Sequence, residues 1–184
     1  YPGVVDEREF RSIWNQAWFS SLRSASGLYR YARRTGNVEL KKKAQMTKEL
    51  ALSFPLKKGF FYGLIGTEME QVKIGEKTVN RSKGWNASFW GNSNRNPYTG
   101  NPQTSPFHIL DMSWTAFLML EWYDELEKDE RLLNYAKEYG NSLVEIQYGN
   151  GFFPSWLDIK TLKPLDYLTQ SPETSMSVSF LLRL

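Results

Sequence analysis

Apolar residues recur along this chain first at helical and later at alternating spacing. Phe10, Ile13, Trp14, Ala17, Trp18 and Leu22 fall on one helical face behind Asp6 and Glu9, which stand at capping-box spacing. The pattern predicts a helix from about Glu7 to Arg34, stopped by Gly36-Asn37. Leu40, Ala44, Thr47, Ala51 and Phe54 then recur at spacings of 4, 3, 4 and 3, the stripe of a second helix. Lys41, Lys42, Lys43 and Lys48 fall largely off that stripe and read as a solvated face, so no nucleic-acid partner is expected.

A shift of 92 positions lays Leu40, Ala44, Thr47, Ala51 and Phe54 onto Leu132, Ala136, Tyr139, Leu143 and Ile146 without a gap. Gly59-Phe60-Phe61 then falls on Gly151-Phe152-Phe153, so the repeated unit is a helix, a turn, a second helix and a Gly-Phe-Phe exit. Ser105-Pro106 and Ser171-Pro172 each read as an N-cap with proline at the first helical position. Between the two hairpins lies an insertion, Tyr62 to Pro106, in which Val72, Ile74, Thr78 and Val79 flank Gly75-Glu76-Lys77 as a short β-hairpin. The rest of the insertion, and a shorter segment from Gly149 to Gln170, mixes aromatics with Asn, Gly, Pro and Asp, which is loop chemistry.

Composition narrows the chemistry. The 184 residues contain no cysteine and one histidine, so a disulfide framework, a thiolate zinc site, a cysteine nucleophile and a histidine-rich metal site are all excluded. No apolar run approaches the ~20 residues a bilayer span needs. No phosphate-binding loop, dinucleotide fingerprint or nucleophile elbow is present, and neither a cofactor nor a metal is expected. Charge is uneven: through Lys58 the chain carries 12 basic and 5 acidic residues, and beyond it 11 basic and 15 acidic, so the two parts are expected to offer opposite surfaces. Absence of cysteine fits cytosol, periplasm and exterior alike.

Helical hairpins in series, each leaving through a Gly-aromatic loop, resemble the six-hairpin (α/α) toroid of glycoside hydrolases and several polysaccharide lyases. The likeness is carried by Leu28-Tyr29-Arg30-Tyr31 before Thr35-Gly36-Asn37, by the paired Gly-Phe-Phe exits, and by Gly151-Phe152-Phe153-Pro154-Ser155-Trp156 ahead of Ser171-Pro172-Glu173-Thr174-Ser175. It implies an all-α fold, one partial toroid domain over 1–184 with its insertion at about 62–106, and a remainder in a longer chain. It also implies an oligosaccharide or polysaccharide substrate, cleaved by carboxylate acid–base chemistry, with a periplasmic or extracellular setting preferred over the cytosol.

Sugar sites combine flat aromatic faces with amides and carboxylates that bond hydroxyls. Trp85, Trp90, Tyr98 and Trp156 are the candidate platforms, with Asn86, Asn92 and Asn94 as polar partners. Glycoside hydrolysis needs two carboxyl groups, and four acids lie near the expected loop end: Asp111, Asp158, Asp166 and Glu173. Asp111 and Asp158 are the catalytic candidates. Asp111 lies among Leu110, Met112 and Trp114, where an acid needs a partner, a solvated cavity or a role; Asp158 and Asp166 also fit simple turns, and Glu173 fits a helix first turn. His108, three residues before Asp111, is placed at the same site, and with Tyr98 and Asn86 it offers a lyase alternative. A non-catalytic glycan-binding or helical-repeat interaction module uses the same residues without turnover.

Overall fold

The computed structural model describes residues 4–6, 11–14 and 18–184 except Arg95, with side chains from Ser21 onward. Strand β1 (Val4–Asp6) pairs antiparallel with β2 (Arg11–Trp14), and helix α1 spans Trp18–Thr35. The helix expected from Glu7 is therefore corrected: Ile13 and Trp14 are extended, and the helix starts at Trp18. Bulky and β-branched residues in a short run suit either state, and pairing with Val4 and Val5 decides for strand. Glu7, Glu9, Phe10 and Ala17 of that stripe lie outside the described residues.

Gly36 ends α1 with φ of 69°, and the Asn37 N–H closes the turn on the Ala32 carbonyl at 2.9 Å. Asn37 then caps α2 (Val38–Ala51), its Oδ1 accepting from the Leu40 N–H at 3.0 Å. Strands β3 (Leu56–Lys57) and β4 (Phe60–Phe61) form a tight hairpin over Lys58 and Gly59, both at positive φ.

The insertion is a ribbon of two nested ladders. Strands β5 (Leu64–Thr67) and β8 (Ser88–Gly91) make the inner one, β6 (Met69–Ile74) and β7 (Lys77–Ser82) the outer one, turning at Gly75 as the sequence pattern predicts. A 3-10 turn, Trp85–Ala87, leads into β8.

Strand β9 (Phe107–His108) runs into α3 (Ile109–Glu125), and α4 (Glu130–Glu145) follows, capped by Asp129. Strand β10 (Trp156–Leu157) returns to pair with β9, and α5 (Thr174–Arg183) closes the described chain. Ser171 does not cap α5, which starts at Thr174 with Glu173 at the cap position; its hydroxyl accepts from the Glu173 N–H in the turn that leads into the helix. Ser105 does not cap α3: Phe107 and His108 are extended to reach β10, and the buried Ser105 bonds Asn92, Asn96 and Asn101 instead.

Helix α1 packs on α2, and α3 on α4, α1 and α5. Helix α3 is accordingly apolar on most of its circumference, with Met112, Ala116, Met119 and Trp122 fully enclosed. Where α3, α4 and α5 meet, Ser113 bonds both Tyr139 and Ser177, so the buried hydroxyls satisfy one another.

Basic residues of the first part of the chain meet acidic residues of the second. Arg30 bonds Glu121 and Glu125, and Lys48 bonds Glu127 and Asp129 at 3.0 and 2.7 Å. Lys48 is only 3% exposed, so it does not belong to a solvated face.

The all-α toroid expectation is overturned. Among the described residues the fold is mixed α/β, 46% helical and 18% strand, with several small antiparallel sheets beside five α-helices. The sequence stripes of α2 and α4 are helical, but much of the intervening chain satisfies its backbone groups by short strand pairing, which apolar periodicity does not register in two-residue strands.

Candidate functional site

The antiparallel register sets His108 directly opposite Trp156. Residues facing each other across such a pair project to one side of the sheet, and the two rings stack with centroids 4.0 Å apart and planes 9° from parallel. His108 is also the last residue before α3, so Asp111, one helical turn on, is brought back to its Nδ1 at 3.2 Å. From the turn ahead of α5, Glu173 reaches Nε2 at 3.3 Å. Three segments distant in sequence thus converge on one imidazole.

Both ring nitrogens face carboxylates, which accept only, so both must carry a hydrogen for the two bonds to form together. Burial opposes the charge, but the hydrogen bonds to Asp111 and Glu173, reinforced by their charges, outweigh it and push His108 up to about 9. The bond from His108 is also the main influence on Glu173, which is held below the usual carboxylate range. At neutral pH the cluster is therefore an imidazolium between two carboxylates. Their side chains are 17% exposed for Asp111 and 31% for Glu173, so Glu173 is the edge that solvent or substrate can reach. The crevice behind it, lined by Phe153, Ser155, Thr174 and Ser177, has no room for a water molecule.

Two loops flank the cluster. Asn96 shapes the first, its Oδ1 accepting from the Tyr98 and Thr99 N–H groups while its amide donates to Ser93, Thr99 and Ser105. The second is tied to β10 by the Leu165 N–H on the Trp156 carbonyl and the Ser155 hydroxyl on the Leu168 carbonyl. The loops meet where the rings of Tyr98 and Tyr167 stand edge to face, 6.5 Å apart.

Not every expected residue gathers here. Trp156 is 4% exposed behind the imidazole and supports His108 instead of offering a platform. Trp90 lies on β8, partly buried against the core, and Asn92 is spent on the Gly63 N–H and the Ser105 carbonyl. Trp85 and Asn86 are exposed on the 3-10 turn of the ribbon, and among the described residues neither touches the cluster. Asp158 closes a local turn, its Oδ1 accepting from the N–H groups of Lys160 and Thr161 and from the Thr161 hydroxyl. Those bonds, led by the Thr161 backbone, hold its carboxyl below the ordinary range.

Asp111, expected in the second turn of a helix capped by Ser105, lies in the first turn of α3, because the helix starts three residues later than that signal implies. Tyr167, passed over as a site residue, is the missed partner; its only sequence signal is adjacency to Asp166.

A roomier recess of about 530 Å³ lies on α1, lined by Gly27, Arg30, Tyr31, Arg33 and Arg34. Arg30 pairs with Glu121 and Glu125 at the far end of α3, so this recess is not part of the His108 site. Among the described residues no group of His, Asp and Glu is arranged to hold a metal, and no helix is long and apolar enough to cross a membrane. No family model, curated protein or solved structure matches the chain.

Proposed function

We propose that this chain acts on carbohydrate and cleaves a glycosidic bond at the exposed edge of the Asp111–His108–Glu173 cluster. The observation that carries the reading is a single imidazole bonded through both nitrogens to carboxylates from separate elements, beside two loops that expose tyrosine. A glycosidic leaving oxygen needs a proton, and this cluster stores one at neutral pH.

The chemistry runs through groups already in contact. His108, the group that holds the proton at neutral pH, donates it from Nε2 to the departing oxygen as the C–O bond breaks, while the Glu173 carboxylate stabilises the positive charge that develops at the anomeric carbon. Asp111 keeps the imidazole oriented through Nδ1. The water that adds to the anomeric carbon then gives up a proton, which the Glu173 carboxylate relays to the neutral Nε2. The cluster ends the cycle as it began, and the net change is addition of water across the bond.

The test is release of reducing ends from a panel of neutral, amino and acidic polysaccharides by the wild-type chain, Glu173→Gln and Asp111→Asn. Turnover by wild type, lost in Glu173→Gln with glycan binding retained, is the expected result. Binding without turnover in every form reduces the reading to a glycan-binding module. No binding to any member of the panel, or turnover undiminished in both variants, overturns it.

A further inference from the structure

The ring behind His108 has an electrostatic role as well as a steric one. Imidazole and indole lie face to face, with centroids 4.0 Å apart and planes 9° from parallel. Trp156 is 4% exposed and the His108 side chain 15%, so little water reaches the contact. Among the described residues the charged groups that face the imidazole are Asp111 on α3 and Glu173 ahead of α5, and β10 contributes the uncharged indole. The ring N–H groups point outward in the ring plane, so the two carboxylates occupy its edge and Trp156 takes a face.

An indole face carries the negative side of the ring quadrupole and attracts a cation lying over it, more strongly where water is excluded. A neutral imidazole gains much less from the same stack. An aliphatic residue opposite His108 would bury the ring without this return, and burial alone disfavours a charged histidine. We infer that Trp156 is a positioning residue whose indole face holds His108 as the imidazolium, and so retains the proton that the cluster delivers. Its part in turnover rests on the carbohydrate reading above, whereas the ring contact stands without it.

His108 is the only histidine, so its Cε1–H gives one imidazole resonance whose titration NMR can follow in the whole chain. Wild type, Trp156→Phe and Trp156→Leu are compared. Loss of the aromatic face should lower the His108 midpoint by about one pH unit in Trp156→Leu, and by less in Trp156→Phe, which keeps a weaker face. A wall that only excludes water predicts the other sign: leucine is smaller, water approaches the ring, and the midpoint rises. Where Trp156→Leu fails to fold, replacement of tryptophan by 5-fluorotryptophan keeps the shape and draws electron density out of the face. Among the described residues Trp156 is the ring paired with His108, so the midpoint should again fall. Turnover supplies a second readout, since the alkaline limb of its pH profile should move down with the NMR midpoint in Trp156→Phe. A midpoint unchanged or raised in Trp156→Leu, or unmoved by fluorination, overturns the inference and leaves the carbohydrate reading in place. An alkaline limb that stays while the midpoint falls overturns the role of Trp156 in delivering the proton. Midpoints that fall as expected in a chain that turns over no glycan sustain the ring contact and overturn the carbohydrate reading instead.

Discussion

His108 lies flat against Trp156, ring centroids 4.0 Å apart, because the β9–β10 register sets the two residues opposite each other. The stack fixes the imidazole plane, so its two nitrogens point at Asp111 on one side and Glu173 on the other. A sheet of two two-residue strands thereby determines the orientation of the only histidine in the chain.

Stability should fall as pH rises from about 6.5 to about 9. The folded state holds the His108 proton up to about 9, while an unfolded histidine releases it near 6.5, so folded molecules bind more protons across that window. The contribution is fully present below about 6.5 and amounts to roughly 2–3 kcal/mol, allowing for the partial exposure of both carboxylates. Urea unfolding across this range checks it: His108→Gln should remove most of the slope, and a wild-type curve flat over the window would refute the assigned protonation.

Lys48→Met is expected to destabilise the fold by about 2–3 kcal/mol, because it leaves Glu127 and Asp129 without the buried cation they share. Thermal unfolding of Lys48→Met alone and together with Glu127→Gln measures this; the double variant should recover part of the loss, since Asp129 keeps Arg131 at 2.6 Å and Glu127 is the carboxylate left without a cation.

Asp158→Asn should keep stability, and the proposed glycan cleavage with it, because an asparagine oxygen accepts the same turn bonds from Lys160 and Thr161. Asp158→Ala loses them and should cost about 1 kcal/mol. Turnover abolished in Asp158→Asn would return this residue to the chemistry.

Gly59 and Gly151 occupy the same place in the two repeats with φ of 76° and 85°, yet their surroundings differ. A methyl at Gly151 meets nothing, so Gly151→Ala should cost only the backbone penalty of about 1 kcal/mol. At Gly59 the same methyl would strike the Glu138 carbonyl and the Ser142 hydroxyl on α4, and Gly59→Ala should cost roughly 1–3 kcal/mol more. Denaturant midpoints of the two variants give the difference directly.

The 92-residue repeat was written in the chain and reappears in three dimensions. Helices α2 and α4 begin at Val38 and Glu130, their caps are Asn37 and Asp129, and Ala44 and Ala136 are both fully buried. The turn at Gly75 was equally readable, and of the paired Gly-Phe-Phe exits Phe60, Phe61 and Phe153 are buried while Phe152 is half-buried. These features depend on neighbours a few residues apart: an apolar stripe, a cap or a glycine turn acts through local backbone geometry.

What the sequence could not determine was every choice made by a distant partner. Arg11–Trp14 became a strand beside Val4–Asp6, and Phe107–His108 became extended because Trp156–Leu157 lay opposite. Lys48 left the solvated face when α3 and α4 brought it two carboxylates. The candidate site has the same origin. His108 and Asp111 are one helical turn apart and were legible as neighbours, but Glu173 is 65 positions away and Trp156 reaches the ring only through strand register. Pairing across such separations is settled by which hydrogen bonds and burials the whole chain can satisfy together, and that is a property of the packed molecule.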